Sequence, residues 1–139
     1  MKILNKLQGS PWAISAAALH NIITIAKREN ESLEALTSRL GKELKNSYMA
    51  TEQNGVAILP VHGPLFRYAN LFTNISGAAS YELIALDFKA ALDNPNIAAI
   101  VLDIDSPGGE VNGCSELSEL IYSAQGVKPI LGFASGDCC

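Results

Sequence analysis

The sequence predicts an α/β fold built on parallel strands, and three observations carry that prediction. Three short apolar runs recur along the chain, Val56–Val61, Ile97–Leu102 and Pro129–Ala134. Each has the length of a strand and is apolar throughout, as strands covered on both faces are. Segments with helical spacing lie between the runs, and alternation of strand and helix implies parallel strands joined by helical crossovers. The 139 residues suffice for one ordinary domain, and 48% hydrophobic against 17% charged residues predicts a packed core rather than disorder.

The chain opens on an apolar segment, Trp12 to Ala26, behind a short basic start at Lys2 and Lys6. A secretory signal has this outline, but His20 and Asn21 interrupt the segment and no small-residue cleavage site follows. It is also shorter than the roughly 20 apolar residues of a bilayer span. A soluble cytoplasmic protein is therefore expected, with a first helix over Pro11–Lys27. Pro11 suits the first turn and Lys27-Arg28 the last. A second helix is predicted after Asn30, with Leu33, Leu36, Leu40 and Leu44 at helical spacing. The polar stretch Asn46–Asn54 reads as a linker. Residues 1–54 would then be a helical appendage and residues 55–139 the main domain.

The first apolar run contains Pro60, which cannot donate to a ladder, and His62-Gly63-Pro64 ends it. The stretch onward to Ala79 reads as a loop. Ser80 is a natural N-cap for a helix in which Tyr81, Ile84, Phe88 and Ala91 share a face, and Asn94-Pro95 stops that helix. A further helix is expected after Gly109, with Val111, Cys114, Leu117, Leu120 and Ile121 inward, ending near Gly126. Cys114, Cys138 and Cys139 show no CxxC spacing and lie far in sequence from both histidines. They predict small buried residues in a reducing compartment rather than a zinc site. A net charge of −4, with the ten Lys and Arg residues scattered, argues against a nucleic-acid partner.

The sharpest feature is Leu102-Asp103-Ile104-Asp105-Ser106-Pro107-Gly108-Gly109-Glu110, at the end of a predicted strand and opening a predicted helix. In open α/β sheets ligands bind at that edge. Two glycines permit unusual dihedrals and close backbone approach. A helix start would aim unpaired N–H groups at a ligand, and such groups stabilise an oxyanion without side-chain chemistry. Pro-Gly is also ordinary turn punctuation, so pattern alone leaves a structural turn and an anion site equally open. Asp103 and Asp105 alternate along a strand and point to opposite faces, so no metal site is expected. His62, a lone histidine after a strand, reads as structural.

Three blocks of this sequence resemble the signal peptide peptidase A-like serine peptidases. They are Gly55–Phe66, Asn96–Gly113 with its Asp105-Ser106-Pro107-Gly108-Gly109 core, and Lys128–Cys139. The helical front with Pro11-Trp12 is most similar to the prophage-encoded members, which process capsid or scaffold proteins. The resemblance implies a ClpP/crotonase-like fold, incomplete here and preceded by the helical segment. It also implies a Ser–Lys dyad in which serine attacks the peptide carbonyl and a neutral lysine is general base. Gly108 would donate its N–H to the oxyanion. Gly109, Glu110, Val111 and Gly136 would border an extended peptide substrate. The implied partners are a peptide or protein substrate, such as a capsid or scaffold protein, and further copies of the chain in a homo-oligomer, with no cofactor, metal or nucleic acid.

The chain departs from that family at one point. The nucleophile normally follows a Gly-x-small-small turn, here Gly136-Asp137-Cys138-Cys139, and would be the next residue. The catalytic lysine belongs further on. Neither is expected among residues 1–139, and Ser106, Ser135 and Cys139 are poor substitutes. The expectation is an N-terminal piece of a serine endopeptidase that does not hydrolyse peptides by itself. Two other readings remain open: an oligomeric assembly protein without catalysis, and an acyl-CoA enzyme of the crotonase type. The uncovered edge of the third strand predicts self-association or a rearranged C-terminus.

Overall fold

A computed structural model describes residues 7–29, 48–69 and 77–139. The predicted helix around Leu33–Leu44 lies outside them. The elements in chain order are β1 (Trp12–Ile14), α1 (Ala16–Glu29), β2 (Thr51–Gln53), β3 (Val56–His62), β4 (Leu65–Phe66), β5 (Ala79–Ser80), α2 (Tyr81–Asp93), β6 (Ala99–Ser106), β7 (Gly108–Glu110), α3 (Cys114–Ser123) and β8 (Ile130–Cys138). They form two four-stranded sheets, ordered β2-β3-β6-β8 and β1-β7-β4-β5. The fold is mixed α/β, and β3, β6 and β8 are parallel as expected, with Ile58 opposite Val101 and Val101 opposite Leu131. None of the described helices is long and apolar enough to cross a membrane.

The first two apolar runs become the inner strands β3 and β6, with alternate residues of each turned into the core. Ala57, Leu59, Ile100 and Leu102 are buried with Phe88, Ala91 and Ile97 in one cluster. Complete burial of a side chain such as Phe88 contributes roughly 1.5–3 kcal/mol. Ser80 starts α2 as predicted, its Oγ accepting the Leu83 N–H at 3.2 Å. Pro60 is tolerated because β2 ends opposite Ile58, so among the described residues β3 has no outer neighbour at that point.

The observed elements differ from the sequence reading in several places, each for an identifiable reason. Thr51–Gln53 is a strand, not linker. Asn54 (φ 51°) and Gly55 (φ 77°) take the two left-handed conformations of a tight hairpin turn, which folds Gln53 back onto Val56. Trp12–Ile14 is also a strand and not the start of a helix. It lies antiparallel to β7, with Ala13 opposite Gly109, and α1 starts only at Ala16, where the Ser15 Oγ accepts the Ala18 N–H. Gly108–Glu110 is a strand too, and α3 begins at Cys114, so no helix N-terminus points at the two glycines. That shift also undoes part of the predicted inward face. Leu117 is buried and Leu120 and Ile121 pack beside it, whereas Val111 and Cys114 are exposed. The other cysteines lie exposed at the end of β8, contrary to the expectation of small buried residues.

The front of the chain meets the rest at Phe66. Trp12 stands edge-on to the Phe66 ring at 5.3 Å and its Nε1 donates to the Leu7 carbonyl at 3.0 Å. Ile22 and Ala26 of α1 bury against Phe66 and Ala78. At the opposite side, β8 is an edge strand whose Leu131 and Phe133 are 61% and 56% exposed.

Glycine replacements separate tight backbone contact from open space. A Cβ on Gly109 would run into the backbone of Leu65, whereas one on Gly132 would meet only the tip of Ile104 at 3.9 Å. Gly109→Ala is expected to cost about 1–3 kcal/mol, and Gly132→Ala less than about 0.5 kcal/mol. Urea unfolding of both variants checks the contrast, and equal costs would contradict it.

Candidate active site at the turn between β6 and β7

Strand β6 leaves one sheet and enters the other within a single residue, Pro107. Ser106, 3% exposed, is the last residue of β6 and Gly108 the first of β7. The Ser106 Oγ donates to the Gly63 carbonyl at 2.8 Å and accepts the Gly108 N–H at 3.2 Å. The Gly63 N–H in turn donates to the Asp105 carbonyl at 2.8 Å. The β3–β4 corner and the β6–β7 corner are thus tied to one another, at the C-terminal ends of parallel strands. Gly108 has φ 101°, and a Cβ there would strike the Ala13 carbonyl. Glycine is required on both counts.

The residues predicted to border a substrate occupy different surroundings. Gly109 is buried between β1 and β4. The Glu110 side chain turns into the molecule, where its carboxylate accepts the Arg67 N–H at 2.6 Å, and its carbonyl accepts the Tyr81 hydroxyl at 2.8 Å. Burial, and then the Cys114 thiol alongside, pushes the Tyr81 hydroxyl far above its usual range, so it stays a donor in alkaline solution. The Arg67 guanidinium reaches Glu116 at 3.1 Å, an exposed pair of small energetic consequence. The Val111 N–H donates to the Pro11 carbonyl at 3.0 Å and its side chain is exposed. Gly136 lies on β8 against the Asp105 carboxylate, which accepts the Asp137 N–H at 3.0 Å. Between the pairs Ile104–Ala134 and Ser106–Cys138 the ladder slips, forming a bulge in β8 around Gly136. The bulge brings the chain end to the turn, where the Cys139 N–H donates to the Ser106 carbonyl at 3.2 Å.

Sequence reasoning missed two features of this region. His62 is not alone, since its Nε2 lies 3.0 Å from the Asp103 Oδ2 and the Tyr48 ring meets it edge-on at 4.8 Å. The partners are 41 residues apart, and only the parallel register, Pro60 beside Asp103, brings them together. The other Asp103 oxygen, Oδ1, is buried and has no hydrogen-bond partner among the described residues. His62, Tyr48, Asp105 and Pro107 line an open cleft of about 380 Å3 that also reaches Asn21 on α1. The second feature is β1, which covers the length of β7. A short Trp-Ala-Ile alternation was the available signal. Among the described residues, no group of three metal-type ligands converges.

Part of the chain is similar to two phage proteins named for capsid and head assembly. Over 86 residues, 62% of the chain, it is 33% identical to the capsid assembly protease C of Escherichia phage lambda. It is 31% identical, over a stretch of the same length, to the head-tail preconnector protein GP5 of Enterobacteria phage P21. That stretch spans 20% and 17% of those two proteins, so the chain corresponds to a fifth or less of the curated relatives it matches. No protein-family model and no solved structure matches it.

The His62–Asp103 contact is a measurable coupling. Both side chains are partly exposed, 21% and 26%, which limits the expected coupling to about 0.5–1 kcal/mol in a double-mutant cycle of His62→Ala and Asp103→Ala. Strictly additive losses would show that the two side chains do not interact.

Proposed function

We propose that this chain carries the oxyanion-binding turn and the substrate-bordering strand of a serine endopeptidase that processes phage capsid or scaffold proteins, in a ClpP/crotonase-like fold. The observation that carries the reading is the state of the Gly108 N–H. A side-chain hydroxyl holds it, at the C-terminal ends of parallel strands. In the antiparallel pairing of β1 with β7, the bonds from Ser15 to Pro107 and from Val111 to Pro11 set the phase, and Gly108 falls on the non-bonded positions. The Ser106 hydroxyl is a neutral acceptor, its own proton engaged with the Gly63 carbonyl. An oxyanion is a charged one and forms the stronger bond. Gly108 is therefore suited to exchange Ser106 Oγ for the developing charge on a substrate carbonyl.

In this reading Gly109, Glu110, Val111 and Gly136 border the peptide mainly through their backbone. The serine and lysine of the dyad have no counterpart among residues 1–139, so these residues bind peptide without cleaving it. No cofactor enters the proposal. The substrate is a capsid or scaffold protein, the partners are further copies of the chain, and the setting is the cytoplasm. Leu131 and Phe133 on the β8 edge favour self-association.

Incubation of the purified chain with labelled casein is expected to release no fragments, while size-exclusion chromatography is expected to give a species larger than a monomer. Fragment release that Gly108→Pro abolishes would show that the chain is active without the dyad. A strict monomer at all concentrations would count against the oligomer.

A further inference from the structure

We propose that β1 is an internal stand-in for an extended peptide: residues 11–15 occupy the edge of β7 that a substrate would otherwise pair with, and must leave before a peptide can bind. The inference rests on the peptidase reading of the turn and names what the β7 edge accepts. Among the described residues, β1 is the outermost strand of its sheet and has β7 as its single neighbour. β7 offers it two glycines, Gly108 and Gly109, so there the contact is made through the main chain, as when a peptide adds to a sheet edge. The N–H of Ser15 donates to Pro107 and that of Val111 to Pro11, both at 3.0 Å. Ala13, midway between, falls on the bonded phase opposite Gly109.

The side chains of β1 alternate as those of a bound peptide would. Ala13 is exposed, while Trp12 and Ile14 turn inward and pack against the cluster of Phe66, Leu7, Ile22 and Ala78. The edge therefore suits an extended peptide with an aromatic residue and a branched aliphatic residue two positions further on, running antiparallel to β7. The same strand covers the Cα side of the turn. The space over the Gly108 Cα is filled by the Ala13 carbonyl and the Ile14 Cα, so no substrate carbonyl reaches the turn from that side while β1 is in place.

The ladder that holds β1 is short and cannot lengthen. Pro11 and Pro107, at its two ends, have no N–H to give. Trp12 is the main anchor, through its ring contact with Phe66 and its bond to Leu7. Loosening this one segment would expose the Gly109 and Val111 backbone without touching the β3–β6 core.

The experiment uses the full chain and a fluorescein-labelled peptide of sequence Ser-Pro-Trp-Ala-Ile-Ser, that of residues 10–15. Two variants loosen β1 differently: Trp12→Ala removes the anchor, and Ala13→Pro removes the central donor. If β1 fills the edge nine-tenths of the time or more, apparent affinity is reduced about tenfold or more in the wild type. Both variants are then expected to bind the labelled peptide about tenfold or more tighter than the wild type. A peptide with Ala in place of Trp should show no such gain. Amide exchange should speed up at Gly109 and Val111 and stay slow at Ile100 and Leu102. Equal binding by all three proteins would overturn the proposal, and so would exchange that rises in β6 together with β7, which would make β1 part of the core. No readout requires turnover, so failure here leaves the peptidase reading of Gly108 standing.

Discussion

One buried hydroxyl holds the two sheets in register. Ser106 ends the central strand of one sheet, and its Oγ spans the 2.8 Å to the Gly63 carbonyl and the 3.2 Å to the Gly108 N–H. Three backbone segments meet there: the exit of β3, the exit of β6 and the entry of β7. A buried carbonyl or N–H left unpaired costs about 1–3 kcal/mol. The serine serves one of each, with no room needed for a water. Everything proposed for the chain depends on this crossing, since it fixes where the glycine pair lies and which way the Gly108 N–H points.

The neighbourhood of β7 follows from having no side chains at its first two positions. With only backbone at Gly108 and Gly109, β1 and β4 close in from both sides to distances that a single Cβ would forbid. Glu110, the first residue with a side chain, turns inward and is held by Arg67 and Tyr81. The strand is thus rigidly fixed at its Glu110 end and bare at its glycine end. A peptide-binding edge needs this combination, because main-chain recognition tolerates many sequences only if the supporting strand stays in place.

Much of this architecture was legible in the sequence. The apolar runs gave the parallel strands because each is short and apolar and lies between segments of helical spacing, and Ser80 and Asn94-Pro95 marked the ends of α2 by local chemistry alone. The turn was legible as a pattern, but its setting was not. A helix was expected after Gly109 because Leu117, Leu120 and Ile121 have helical spacing, and nothing local shows that the periodicity begins only at Cys114. The strand character of Trp12–Ile14 depends on β7, almost a hundred residues away, so propensity within Pro11–Lys27 favoured a helix. The His62–Asp103 pair needed the register of β3 against β6, which neither strand encodes alone. The cysteines were misjudged for a simpler reason: apolar character predicts burial only where a neighbouring element exists to cover the residue.

Similarity to two phage assembly proteins and the geometry of the turn are independent observations. The first concerns 86 residues of sequence, the second one glycine amide held outside the β ladder. The proposed role of the turn depends on that amide. Its most direct test is the hydrogen-exchange rate of the Gly108 N–H in the Ser106→Ala variant, measured by NMR beside the unaltered chain. A slow Gly108 amide is expected in the unaltered chain and a much faster one in the variant, with the β6 amides still protected. An amide already exchanging at the free-peptide rate in the unaltered chain, or one equally slow in both, would show that Ser106 does not hold it.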